Sequence, residues 1–387
     1  MQSPDTPSAT TTSNGTSAEP SADTTAGPLA PYDAVLLLGF GGPEAPEEVL
    51  PFLRRVTAGR GIPDERLAEV GKHYHLFGGR SPINDQNRAL VAALEAELAS
   101  RDLAVPVFWG NRNSAPYLDE ALREVHAAGH RRVVIVTTSA YSCYSSCRQY
   151  RENLANADAT LHEEGIELQI DKVGPYAPRP GYTAANLERL VESLRALDGA
   201  PDEEVALLFV THSIPSTMDD TSGPGDGEGQ LYQRQHRAVA AALTEGANEA
   251  LGRHLTGELV FCSRSGPPTQ PWLEPDVGDR IEELAASGTR TVVVAPIGFV
   301  SDHMEVVYDL DTEAREKADE VGVRLVRVPT VGTSALFVGD LVDAVVERAA
   351  EARGEGVREF EGRRPSVCAA GCCPNLRQAR PALCGSD

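Results

Sequence analysis

The sequence predicts a doubly wound α/β protein, with parallel strands covered on both faces by helices. Short apolar runs alternate with helix-length amphipathic segments, the pattern of strands buried on both sides. The runs are too short for helices and rich in β-branched residues. A weak internal repeat relates "AAGHRRVVIVTTSAYSC" to "AASGTRTVVVAPIGFVS": each has a helix end with Gly, a basic residue, a Val-rich strand and a polar exit. Two similar units of this kind would face each other across a cleft.

Taken in order, "YDAVLLLGF", "AVPVFW", "RRVVIVTTSA" and "ELQIDKV" are the strands of a first half, with "EVALLFVTHS", "GELVFCSRS", "TRTVVVAPIGF" and "VRLVRVPTV" those of a second. Helical segments such as "INDQNRALVAALEAELASR" and "DTEAREKADEVG" lie between them. Residues 1 to 30 are Ser, Thr, Pro and Ala with almost no large apolar side chains, so they read as a disordered tail. The expected division is a tail to 30, a first lobe over 31–178, a second over 179–334, and a final helix with a cysteine-rich tail over 335–387.

A net charge of −22 disfavours nucleic acid and anionic membrane surfaces, both of which would repel the protein. No apolar stretch approaches the ~20 residues of a membrane span and no signal peptide opens the chain, so a soluble cytoplasmic protein is expected. Only 3 of 35 basic residues are lysine, which with abundant Ala and Gly indicates a GC-rich bacterial genome.

In open parallel sheets, ligands bind beyond the carboxyl ends of the strands. Four polar exits are therefore candidate site segments: Gly39 to Pro43, Ser139 to Cys147, Thr211 to Pro215 and Gly298 to Glu305. His212 ends a strand, where a histidine is equally often a hydrogen-bonded structural residue. Glu305, Asp309 and Glu313 recur every four residues, and at ~100° per residue form one helical stripe. A wider π-turn would align them better. Such a stripe is either a solvated helix face or a row of oxygen ligands passing a hard divalent cation. Seven cysteines also need an account, because cytoplasmic proteins seldom pair them. Cys368, Cys372 and Cys373 are spaced as thiolate ligands of an iron-sulfur cluster or of zinc. Cys262, in an apolar strand, reads as packing.

These segments together resemble the ferrochelatase family, which inserts ferrous iron into a porphyrin. The resemblance rests on "LLLGFGGPEAPEEVLPFL", "HYHLFGGRSPIN", "YSCYSSCRQY", "VTHSIP", "CSRSGPPTQPWLEP" and "PIGFVSDHMEVVYDLD", in the family's order across roughly residues 32 to 350. It implies two Rossmann-like, chelatase-type lobes facing a central porphyrin cleft, with His212 and Glu305 near the macrocycle centre as the catalytic pair. The chemistry suits them: two pyrrole protons must leave as the metal enters, and a histidine is the base nearest neutral pKa. His212, Glu305, Asp309 and Glu313 would then form the iron path, with Fe2+ as substrate and no nucleotide.

The resemblance also places Tyr74, Ser81 and Tyr144 at the substrate carboxylates. Arg54, Arg55 and Arg60 are candidate partners for propionates through charge-assisted pairs, or else exposed helix-end arginines. Phe40 stands where relatives often carry Tyr or Met beneath the metal, and it cannot ligate iron. Some family members hold a 2Fe-2S cluster with three tail thiolates and one from the body. That fourth ligand is expected at Cys143, with Cys384 as the alternative.

The substrate-lip stretch "GGPEAPEEVLPFLRRVTAGRG" offers no membrane-seeking face, which favours the water-soluble, four-propionate coproporphyrin III over protoporphyrin IX. The resemblance points the same way, toward bacterial enzymes that make coproheme. The expected protein is a monomer that passes its product to a downstream enzyme of heme biosynthesis. A non-catalytic two-lobe binding protein would not need His212 opposite Glu305. A nucleotide-dependent oxidoreductase fits poorly because Glu44 replaces the third glycine of the dinucleotide fingerprint.

Overall fold

The computed structural model describes residues 27–386 apart from 198, 226, 267 and 268. The anticipated tail over 1–26 therefore lies outside the described residues. Its last residues behave otherwise than expected: Leu29 and Ala30 are buried against the first lobe, so ordered chain already includes them. Leu29 supplies the large apolar side chain that the rest of that segment lacks.

Eight strands form two separate parallel sheets of four. In the first, β1 (Ala34–Gly39), β2 (Val107–Asn111), β3 (Arg132–Thr137) and β4 (Gln169–Lys172) stand in the order β2-β1-β3-β4. In the second, β5 (Val205–His212), β6 (Gly257–Cys262), β7 (Thr291–Ala295) and β8 (Arg324–Arg327) repeat the arrangement as β6-β5-β7-β8. All eight runs read from the sequence are strands, and the repeat noticed around the third strand of each half pairs β3 with β7. β1 and β3 are the inner strands of the first sheet and β5 and β7 those of the second, and Leu36, Leu37, Leu38, Leu208, Phe209 and Val210 on β1 and β5 have no exposed surface. Each such side chain stabilises the fold by about 1.5–3 kcal/mol relative to exposure.

One apolar core runs through both lobes rather than two cores meeting at a wet interface. Tyr141 of the first lobe and Tyr182 both donate hydroxyl hydrogen bonds to the Ile297 carbonyl of the second, at 2.9 and 2.6 Å. Tyr141 also stacks on His236, with centroids 3.5 Å apart. Burial lowers the His236 pKa to about 3, so the ring is neutral in this apolar seam. The helix Ala335–Ala352 crosses back to the first lobe, where Arg101 bonds Asp343 at 2.5 Å and the Gly339 carbonyl at 3.1 Å. The strand ends of the two sheets are thereby held in fixed relation, a condition for a site shared between them.

Candidate active site

The segments predicted at strand ends do converge. His212 is the last residue of β5, where the strand's hydrogen bonding to β6 stops. Its Nδ1 lies against the Ser213 carbonyl, so that nitrogen carries the hydrogen and Nε2 is left free. Tyr232 fixes this backbone from beneath, donating its hydroxyl to the His212 carbonyl at 3.0 Å and contacting the Thr211 hydroxyl at 2.7 Å. Gly298, after β7, passes so close that a Cβ there would fall 2.8 Å from the Thr211 Cα. Only glycine permits this approach.

Glu305 opens the short helix Met304–Tyr308, and its Oε2 stands 3.7 Å from His212 Nε2. His303 Nδ1 is 4.0 Å from the same carboxylate oxygen. The protein around His303 lowers its pKa by burial, partly offset by the Glu305 charge. The motif alone gives His303 no part; its place two residues before Glu305, capping the same helix, is the signal in the sequence.

Asp309 follows one turn later, at the start of a π-helical turn, Asp309–Glu313. The wide turn considered for this stripe is thus present. Ser263, at the end of β6, donates its hydroxyl to Asp309. Burial raises the Asp309 pKa to about 7 against that hydrogen bond, and the Glu305 and Glu313 charges raise it further. Asp309 and Glu313 line a cavity of about 190 Å³ together with Cys262, Ser263, Asp276 and Lys317. Asp309 therefore stands between the His212–Glu305 pair and a side cavity. Tyr308 from the same helix stacks on His73 of the first lobe, with centroids 3.8 Å apart.

Across the cleft, Phe40 leaves the end of β1 and packs edge-on to Phe52, which in turn contacts Tyr74. Met304 joins this aromatic cluster from the second lobe. Tyr74 is buried, and both burial and the charges of Glu305 and Asp309 push its hydroxyl pKa up. Arg112, beyond the end of β2, lies over the Phe40 ring at 5.6 Å and the Tyr150 ring at 4.4 Å. The Tyr144 hydroxyl donates to Glu152 at 3.2 Å and accepts from Asn375 at 2.9 Å.

Two expected substrate contacts are placed elsewhere. Ser81 is buried against Gly42, with its backbone N–H on the Pro43 carbonyl, and supports the β1 exit loop instead of facing the cleft. Arg54 forms a two-point pair with Asp64 at 3.0 and 2.5 Å on an exposed helix face, the ordinary helix-end alternative. Arg60 is exposed; the protein mass around it, then the Arg377 and Arg112 charges, lower its pKa, while Tyr144 and Glu305 oppose this.

The cysteines need a correction. The thiols of Cys368, Cys372 and Cys373 form a buried packet with Cys147, not with Cys143 or Cys384. A π-helical turn over Tyr144–Arg148 carries Cys147 toward the tail, while Cys143 contacts the Ser145 and Ser146 hydroxyls at 3.3 and 3.1 Å. Cys384 turns to the Ile170 carbonyl at 3.6 Å. Cys372 and Cys373 sulfurs are 3.8 Å apart, and the Gly223 N–H donates to Cys373 at 3.2 Å. Thiol hydrogen bonds from Cys147 and Cys372 lower the Cys368 pKa, with Lys172 and Arg151 acting in the same direction. Four buried sulfurs with such donors fit a four-thiolate group in kind. Among the described residues, however, no three or more His, Cys, Asp or Glu side chains stand in an ion-holding arrangement.

A family model described as ferrochelatase matches residues 32–349. The chain belongs to the ferrochelatase family. It is 51% identical over 365 residues to the coproporphyrin III ferrochelatase of Streptomyces coelicolor, covering 92% of this chain and 97% of that one. To the coproporphyrin III ferrochelatase of Leifsonia xyli it is 52% identical, covering 92% and 94%. Among solved structures, SirB from Bacillus subtilis with Fe3+ aligns at a TM-score of 0.49 and 14% identity, over 83% of this chain and 97% of that one. Membership of the ferrochelatase family makes the chain a porphyrin metal chelatase, and the two parallel-sheet lobes are its scaffold. Among the described residues no helix is long and apolar enough to cross a membrane.

Proposed function

We propose that this enzyme inserts ferrous iron into coproporphyrin III to give coproheme III in heme biosynthesis. The observation that carries the reading is the 3.7 Å approach of His212 Nε2, at the end of β5, to Glu305, in the helix that follows β7 of the same lobe. The names borne by relatives at about half identity support the substrate.

In this reading the porphyrin lies between the Phe40 side and the His212 side. His212 Nε2, free because Nδ1 is held by the Ser213 carbonyl, accepts one of the two pyrrole protons. Glu305 takes part as the second proton acceptor or as an oxygen ligand of entering iron. Ferrous iron approaches through the side cavity by way of Glu313 and Asp309, whose oxygens suit a divalent ion. Phe40 offers a flat apolar wall but no ligand, so coordination comes from the His212 side. Arg60 pairs with a substrate carboxylate, Tyr144 lines the site beside it with its hydroxyl hydrogen given to Glu152, and Tyr74 supports the wall.

The four buried thiols, Cys147, Cys368, Cys372 and Cys373, would hold a 2Fe-2S cluster, which would tie the tail to the first lobe. All seven cysteines are unpaired, consistent with a reducing cytoplasm. The test of function is conversion of the free-base coproporphyrin spectrum to that of the iron porphyrin, under anaerobic conditions and without nucleotide. A chain that leaves the spectrum unchanged contradicts the reading.

A further inference from the structure

The cysteine-rich tail does more than pack against the first lobe. Asn375, two residues past Cys373, donates its side-chain amide to the Tyr144 hydroxyl at 2.9 Å and to Glu152 at 3.2 and 3.3 Å. Its carbonyl oxygen accepts the backbone N–H groups of Arg377 and Gln378 at 3.0 and 3.3 Å. One side chain thus clips the loop to a cleft-wall tyrosine and folds the loop back over it. The loop is anchored at its far side as well, where Arg148 donates to the Arg380 carbonyl at 3.2 Å. Arg377 is exposed on this loop, which docks on Glu152, the helix neighbour of the Asn153 that bonds Arg112; after burial, its charge also lowers the Arg60 pKa. Arg112 completes the group, held by Asn153 at 2.6 Å.

In a chain with 57 acidic and 35 basic residues, side-chain carboxylates are abundant. Among the described residues, none forms an ion pair with Arg60, Arg112 or Arg377, whereas Arg54, Arg88, Arg101 and Arg123 of the first lobe are paired. Like charges brought together without counter-ions are costly unless a ligand supplies the anions. We propose that the tail completes the substrate site, with Arg377 pairing with a porphyrin carboxylate at the cleft rim beside Arg60 and Arg112. This rests on the reading of a four-carboxylate porphyrin as substrate. It makes Arg377 a specificity residue, and it makes the docking of the tail a condition for tight substrate binding.

The test is steady-state kinetics and direct porphyrin titration of the full chain carrying Arg377→Gln or Arg377→Lys. Because Arg377 is exposed, neither change disturbs packing. Arg377→Gln is expected to raise KM and Kd for coproporphyrin III about tenfold, with kcat changed less than threefold and a shallower salt dependence of Kd. Arg377→Lys is expected to recover most of the loss, since a charge is restored without the planar fork. Values for Arg377→Gln within twofold of the unmodified chain, in an enzyme that does metallate coproporphyrin III, overturn this inference alone. Failure of the unmodified chain to metallate coproporphyrin III overturns the functional reading and this inference with it.

Discussion

His212 Nε2 and Glu305 Oε2 face each other at 3.7 Å, with the hydrogen of the imidazole committed to the Ser213 carbonyl on the opposite edge. Two electron-rich atoms at that separation are favourable only with a positive charge between them, either a proton or a metal ion. The pair is therefore poised to take up what iron insertion releases or supplies.

Replacing His212 by Ala is expected to lower kcat by roughly 10²- to 10⁴-fold, the usual contribution of a positioned base. Porphyrin binding and the thermal transition should change little, because His212 is only partly buried. Glu305→Gln keeps the shape and removes the charge, and should also be severe. Turnover within tenfold of the unmodified enzyme in both variants would remove the pair from the mechanism.

Asp309 gives a pH dependence. Burial raises its pKa to about 7 from an ordinary carboxylate value, so between pH 4 and 7 the folded state binds a proton that the unfolded state has lost. Stability contributed by this group is present below the unfolded pKa and falls as pH rises through the folded pKa. Asp309→Asn should raise the melting temperature by several degrees at pH 8 and give no gain at pH 4. Iron competes with the same proton, so KM for ferrous iron should fall from pH 6 to 8 in the unmodified enzyme and lose that slope in Asp309→Asn. A slope that survives the substitution would assign the titration to another group.

Gly298 is a packing test of the site. The Cβ of Gly298→Ala would meet the Thr211 hydroxyl and backbone, next to His212. Overpacking of this kind costs about 1–3 kcal/mol. The loss in kcat should exceed what the lowered stability explains, because the strand end that carries His212 must move. Activity that tracks folded fraction alone would show that the strand end tolerates the shift.

Much of this arrangement was legible in the chain itself. Val-rich runs such as Arg132–Thr137 and Thr291–Ala295 identified strands, because runs so short, β-branched and apolar, separated by helix-length segments, suit a parallel sheet covered on both faces. The rule that ligands lie beyond strand ends then brought His212 and Glu305 together. What was not legible depended on local turn geometry. Cys143 and Cys147 sit in one motif, and only the π-helical turn between them decides which sulfur meets the tail. Ser81 and Arg54 carry suitable chemistry, but burial against Gly42 and pairing with Asp64 withdraw them, and neither relation has a sequence signature. Ser263 was hidden for the opposite reason, since it becomes relevant only through Asp309, distant in sequence.

The thiol packet predicts brown protein containing iron and acid-labile sulfide in similar amounts after anaerobic purification. Cys147→Ser should abolish the visible absorption, whereas Cys143→Ser and Cys384→Ser should retain it. Loss of colour in Cys384→Ser with retention in Cys147→Ser would place the cluster wholly within the tail. Colourless unmodified protein holding zinc would replace the cluster with a structural ion.

Iron insertion into a four-propionate porphyrin at the His212–Glu305 pair is measured most directly by anaerobic steady-state turnover with ferrous iron, comparing coproporphyrin III and protoporphyrin IX side by side in the unmodified enzyme. kcat/KM is expected to be at least tenfold higher for coproporphyrin III, corresponding to about one charge-assisted hydrogen bond of differential binding. Equal or better use of protoporphyrin IX would contradict it.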